Sequence, residues 1–222
     1  MPRFWILPVL GLSVFLLPQV AWAEAEKADD GFIKIFNGKN LENWVVEGWR
    51  QYAQKHKKDP IWIVEEDKIV CRGRDWGFLR YDKKLTDFIV RLEFRSAKKC
   101  NSGLGIRGGI FQGNRWKTAP SWTGYEMQIL DDAGKRPTPY STGALYRYIA
   151  PRTNAIKPAG QWNTVEIRCQ GPRIQITLND QHIQDVDQST VAGIKEKPLS
   201  GYFSLQDHGS RIEFRGIRLK EL

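Results

Sequence analysis

The sequence predicts an all-β protein folded as a two-sheet antiparallel sandwich with little helix. Ten or more short segments rich in β-branched and aromatic residues follow one another, with turn signals every eight to twelve residues. In the longest, residues 88–95, Phe88, Val90, Leu92 and Phe94 alternate with Arg91, Glu93 and Arg95, so one face meets a core and the other meets water. Helical patterning is confined to residues 49–58.

The chain opens with Met1-Pro-Arg, an apolar run from Phe4 to Val20 and Ala21-Trp-Ala23, which reads as a signal peptide over residues 1–23. Export to a periplasmic or extracellular location is therefore expected, with residues 24–30 a linker and residues 31–222 a single domain. No later segment reaches the ~20 apolar residues of a membrane span. Without Arg3 the 34 basic residues become 33 against 25 acidic ones, a net charge of +8. These charges are interspersed apart from Lys55-His-Lys-Lys58, so no basic stripe of the nucleic-acid-binding kind is present. Three cysteines, Cys71, Cys100 and Cys169, include no C-x-x-C pair, which argues against a thiolate metal site and predicts no obligatory disulfide.

Phe32-Ile-Lys-Ile-Phe36 alternates as a strand and ends in the turn Asn37-Gly-Lys-Asn40. Residues 49–58 hold good helix formers and stop before Asp59-Pro60, giving a short surface helix or a basic insertion. Strands follow at 61–64, 68–71, 78–81 and 88–95, and a glycine-rich strand at 101–109 permits either a bulge or the close approach of a ligand. Residues 124–130 send Glu126, Gln128 and Leu130 to one face and Met127 and Ile129 to the other. The long connections 131–142 and 147–161 are of a length associated with function. Strands at 163–169, 173–178 (turning at Asn179-Asp180), 182–186, 201–209 and 212–219 complete the chain. In 201–209, Ser204, Gln206 and His208 share a face and Phe203 and Leu205 form the core side.

Eight motifs carry a resemblance over nearly the whole mature chain. They are residues 32–44, 87–95, Asn101-Ser-Gly103 with Arg107, residues 124–131, 142–146 and 160–163, Leu205-Gln-Asp-His-Gly209, and Glu213-Phe-Arg215. Together they resemble the DUF1080 family, the 3-keto-disaccharide hydrolase (3-keto-glucoside lyase and hydratase) domain. The resemblance implies a concanavalin A-like jelly roll and a carbohydrate substrate, a 3-keto-disaccharide or other 3-keto-glycoside.

A ketone at C3 acidifies the C2 hydrogen, so that a base removes it and the C1 oxygen leaves by elimination; water can then add to the 3-keto-glucal. Such chemistry needs a base, an acid and a donor for the enolate oxygen. The resemblance points to Glu126 and His208 as acid and base, in either assignment, and to Arg107 at the enolate. Gln128 and Gln206 would position hydroxyls. Glu93, Glu213 and Arg215 either extend that face or form cross-strand ion pairs. Trp76, Trp116, Trp122 and Tyr146 are candidates for stacking on sugar rings, whereas Trp162 is assigned to the core. One divalent metal ion is an open possibility, with Glu126, His208 and Asp131 as ligand types. The chain departs from the family pattern at Gly216, where Asn is usual, and in the 49–58 stretch, so substrate choice does not transfer. Two other readings stay open: a lectin-like carbohydrate-binding module, and an ordinary glycosidase, which would need a second carboxylate about 5–9 Å from Glu126.

Overall fold

In the computed structural model, residues 31–48 and 58–222 are described. The expected signal peptide, the expected linker and nearly all of the 49–58 stretch lie outside the described residues. Strands β1 (Ile33–Lys34), β2 (Trp44–Gly48), β3 (Trp62–Glu65), β4 (Lys68–Cys71), β5 (Trp76–Tyr81), β6 (Phe88–Ser96) and β7 (Asn101–Gly108) precede a four-residue helix α1 (Pro120–Thr123). Then come β8 (Tyr125–Leu130), β9 (Trp162–Gln170), β10 (Arg173–Leu178), β11 (Gln181–Asp187), β12 (Tyr202–His208) and β13 (Ile212–Glu221). One sheet runs β11-β10-β9-β6-β13-β4-β3 with β1 on β13; the other runs β2-β5-β12-β7-β8.

The core lies between these sheets. Phe88, Val90, Leu92 and Phe94 of β6 belong to the same buried cluster as Leu104 and Ile106 of β7, Met127 and Ile129 of β8, and Phe203 and Leu205 of β12. Alternation therefore assigns the inward faces of these strands correctly. The three cysteines are free and buried. Burial pushes the thiols of Cys100 and Cys169 up to about 12, which leaves them un-ionised and unreactive at neutral pH.

Turns follow the residues that tolerate a left-handed backbone. Asn179 (φ 48°) and Asp180 (φ 65°) join β10 to β11, as Glu66 and Asp67 join β3 to β4. Gly216 has φ 61° beside the break in register between Arg215 and Arg218, a conformation that Asn also tolerates, so the departure from the family pattern suits the backbone. Strand β8 would be an exposed edge, but residues 143–146 lie along it: Gly143 N donates to Gln128 O at 2.9 Å and Tyr146 N to Glu126 O at 2.8 Å. Strand β2, Trp44–Gly48, was not anticipated.

Three assignments are corrected. Alternation from Gly103 and Gly105 would put Arg107 on the outer face of its sheet, but a left-handed residue (φ 52°) at a break in register re-aims it. Its fully buried guanidinium donates to Thr86 O at 2.7 and 3.1 Å, to Gly171 O at 2.7 Å and to Asp87 Oδ1 at 3.2 Å, so it is a structural tie and not an enolate partner. Glu93 and Arg215 lie on the outer face of the other sheet and pair with each other, Nη2 to Oε2 at 2.6 Å, away from the substrate face. Trp162 is only half-buried: it lies opposite Arg95 on that outer face, where the guanidiniums of Arg95 and Arg215, at 4.8 and 4.0 Å, supply its cover in place of the core.

Arg107→Ala should destabilise the fold by about 3 kcal/mol or more, because buried carbonyls lose their donor. Urea denaturation measures that loss, and activity per folded molecule should stay near wild type.

Candidate active site

The site is built on the outer face of the five-stranded sheet, and its floor depends on the glycines of β7. Gly103 pairs with Gln128 and Gly105 with Glu126. A Cβ at Gly103 would come within 2.8 Å of Glu126 Cγ and Oε1, so the missing side chain lets the glutamate lie down across β7. Gly105 and Gly108 give the same clearance to Pro120, at 2.9 and 2.7 Å, and seat helix α1 on the sheet. The glycine-rich strand thus admits the protein's own side chains. Glu126, Gln128 and Gln206 are all buried, and Gln206 Nε2 donates to Glu126 Oε2 at 3.0 Å.

Over this floor stands an open cleft of about 230 Å³, a little smaller than the ~300 Å³ lower end of typical small-molecule sites. Glu126, Gln128, Gln206 and Asn101 share it with Trp76, Trp116, Trp122, Tyr146, Ser121, Arg115, Arg147 and His208. Buried oxygens Gln206 Oε1 and Asn101 Oδ1 have no hydrogen-bond partner among the described residues, and suit the hydroxyl donors of a sugar. Aromatic residues form the rim. Trp116 and Trp122 are exposed, Tyr146 meets Tyr140 edge to face at 5.6 Å, and the His208 ring stands edge-on to Trp76 at 6.0 Å.

The β2 strand supports one wall. Buried Glu47 pairs with Arg80 of β5, and its second oxygen accepts Phe111 N at 2.9 Å, anchoring the loop that carries Arg115 and Trp116. Arg147 forms the opposite wall with its guanidinium 3.6 Å above the Trp122 ring.

Electrostatics push the two titratable groups toward each other. Desolvation by burial raises Glu126 to about 7, opposed by the Arg147 charge and by hydrogen bonds from Gln206 and Ser121. Partial burial of the His208 ring, then the charge of Arg115, hold it below 6.5, although the residue reaches solvent at the rim. Near neutral pH the cleft holds a carboxyl that is protonated about half the time and a neutral imidazole. That pair can give one proton and take another.

Of the residues named from sequence, Glu126, Gln128, Gln206, His208, Tyr146 and Trp116 meet in this cleft, as do Trp76 and Trp122. Arg107, Glu93 and Arg215 do not. Asp131 instead accepts Lys99 N at 2.8 Å, and among the described residues no three His, Cys, Asp or Glu side chains converge as a metal site. The proposed Glu126, His208 and Asp131 set is therefore not assembled, and no step below is routed through a metal. Ser121, Arg115 and Arg147 were missed. They sit in loops or a one-turn helix without periodicity, and the only sequence signal for Arg147 is its place after the 142–146 motif.

Glu126→Gln offers a thermodynamic test of this burial. Protonation of the raised carboxyl stabilises the fold fully below pH ~4.5, and the advantage is lost as pH rises through about 7. Gln does not titrate, so the variant should gain about 3 kcal/mol on wild type between those values, with a constant gap above. Chemical denaturation at several pH values measures it; a pH-independent difference would contradict the buried, raised carboxyl.

Comparison with known proteins agrees with this geometry. A curated 3-keto-disaccharide hydrolase from Bacteroides thetaiotaomicron is 25% identical over 235 aligned residues, covering 87% of this chain and 79% of the relative. A solved structure from Parabacteroides distasonis, carrying a provisional glycosyl hydrolase name, superposes with a TM-score of 0.70 at 22% identity, covering 86% of this chain and 94% of that one. A Bacillus subtilis protein of unknown function with a galectin-like fold gives 0.54 at 12% identity, covering 86% and 94%, which supports the jelly-roll sandwich. The family model for the 3-keto-alpha-glucoside-1,2-lyase-like domain matches residues 31–220, and the chain belongs to that family.

Proposed function

We propose that the protein is an exported enzyme that cleaves the glycosidic bond of 3-keto-glucosides by elimination and then hydrates the 3-keto-glucal, giving net hydrolysis. Family membership and the likeness to a 3-keto-disaccharide hydrolase support a carbohydrate-active, hydrolase-type enzyme. The observation that carries the mechanism is the buried Glu126 carboxyl, raised to about 7, in the same cleft as an imidazole held below 6.5.

These opposed shifts favour one of the two acid and base assignments. Neutral His208 takes the C2 proton, the C–H electron pair passes into the enolate, and the enolate collapses to form the C1–C2 double bond as the C1–O bond breaks. The departing oxygen takes the proton of Glu126. Afterwards His208 is protonated and Glu126 ionised, the states that hydration requires. The Glu126 carboxylate then takes a proton from water attacking C1, and His208 returns its proton to C2. One cycle restores both groups and consumes one water. Gln128, Gln206 and Asn101 would hold the hydroxyls, and the aromatic rim would stack on the sugars. The exported location rests on the sequence of residues 1–23.

Incubation with a 3-keto-disaccharide and with its unoxidised parent, followed for 3-keto-glucal and free sugar, tests this. Turnover is expected on the first substrate alone. Cleavage of the parent would indicate an ordinary glycosidase; binding without turnover of either would indicate a lectin-like module. Folded Glu126→Gln and His208→Ala should each lose about 10²-fold or more in rate, and wild-type rates in both would sink the assignment. For wild type, kcat/KM should fall with acid as His208 protonates below 6.5 and fall with base as Glu126 ionises near 7.

A further inference from the structure

Elimination next to a ketone passes through negative charge on the C3 oxygen, and the arginine expected there, Arg107, is tied up inside the fold. Among the described residues Arg80, Arg91, Arg95, Arg107, Arg173 and Arg215 each face a carboxylate. Two arginines line the cleft, Arg115 and Arg147; among the described residues neither makes a salt bridge to a carboxylate, although the Arg147 charge acts on the nearby Glu126 carboxyl. Arg115 is exposed over the rim residue Trp116 at 4.7 Å, where solvent already serves its charge.

Arg147 also stacks on a tryptophan but is less exposed. It is half-buried, its guanidinium lies 3.6 Å over Trp122 and 5.1 Å from Tyr146, and its one side-chain hydrogen bond is a long contact from Nη2 to Ser121 Oγ at 3.4 Å. The remaining guanidinium donors are without partners among the described residues. Its backbone is left-handed, φ 67°, a conformation that L-residues rarely adopt, and is held by Arg147 N donating to Pro139 O at 2.8 Å. The flanking residue is fixed too, through Tyr146 N to Glu126 O, so the arginine is registered against the strand that carries the carboxyl. A strained, stacked, partly desolvated cation with spare donors is a preorganised site for an anion that forms during a reaction.

We infer that Arg147 is a catalytic residue whose guanidinium donates to the C3 oxygen as it becomes an enolate. This rests on the reaction proposed above. When His208 removes the C2 proton, the C–H pair forms the C2–C3 double bond and the carbonyl pair moves onto oxygen, beside Arg147. Collapse returns that pair, reforms the ketone and expels the C1 oxygen with the Glu126 proton.

The test compares wild type, Arg147→Gln and Arg147→Lys on one 3-keto-disaccharide, with folding checked by circular dichroism. Arg147→Gln should lose about 10²- to 10³-fold in kcat with KM within about threefold, because the interaction strengthens only as charge develops. Its deuterium isotope effect at C2 should rise as proton removal becomes limiting. Arg147→Lys should recover part of the rate, since it restores charge without the planar fork. Wild-type kcat in Arg147→Gln, or a loss confined to KM, would overturn the role; if that variant fails to fold, wild-type kcat in Arg147→Lys would do so. No turnover by wild type would instead overturn the reaction. One readout needs no turnover: removing the cation should move the pH at which the Glu126→Gln stability gap develops upward, and an unchanged midpoint would show that Arg147 does not act on the site.

Discussion

A glutamate laid flat on a glycine is the contact on which this site depends. With any side chain at Gly103, a Cβ would meet Glu126 at 2.8 Å and lift the carboxyl into the cleft and toward water. Because β7 is bare there, the carboxyl lies buried with a hydrogen bond from Gln206, and no carboxylate shares its pocket. Desolvation then raises its pKa to about 7, as the role proposed for it as proton donor requires. The same burial costs stability whenever the group ionises, a conflict between fold and chemistry often met at functional sites.

The two sheets divide the labour. On the outer face of the larger one, charges are matched across strands: Arg91 with Glu166, Arg95 with Glu213, Arg215 with Glu93. The partly exposed pairs Arg91–Glu166 and Arg215–Glu93 contribute tenths of a kcal/mol to about one each, while Glu213 is buried beneath Arg95. The outer face of the smaller sheet carries amides, a carboxyl without an ion pair and cations stacked on tryptophans. There, among the described residues, the buried oxygens Gln206 Oε1 and Asn101 Oδ1 have no hydrogen-bond partner and are free to accept from a ligand.

Legibility in the sequence followed the physics of the period. Wherever a strand alternates cleanly, the face of each residue could be read: Glu126 and Gln128 outward with Met127 and Ile129 inward, Gln206 outward with Phe203 and Leu205 inward. Reading failed where one residue breaks the period. Arg107 is re-aimed by a left-handed backbone at a bulge, a conformation that its side chain does not advertise. Trp162 looked like core by composition, but guanidiniums cover it at the surface. The walls were least legible: Ser121, Arg115 and Arg147 come from irregular segments whose placement depends on Glu47 gripping Phe111 N and on residues 143–146 lying along β8.

Direct titration of the Glu126 carboxyl tests the central claim most closely. Carbon-detected NMR of protein labelled at glutamate side-chain carboxyls, with the Glu126→Gln variant assigning the signal, follows its ionisation without any substrate. The account predicts a midpoint near 7. A midpoint near the ordinary value of about 4.3 would mean that the carboxyl is solvated, and that it cannot deliver the proton the departing oxygen needs.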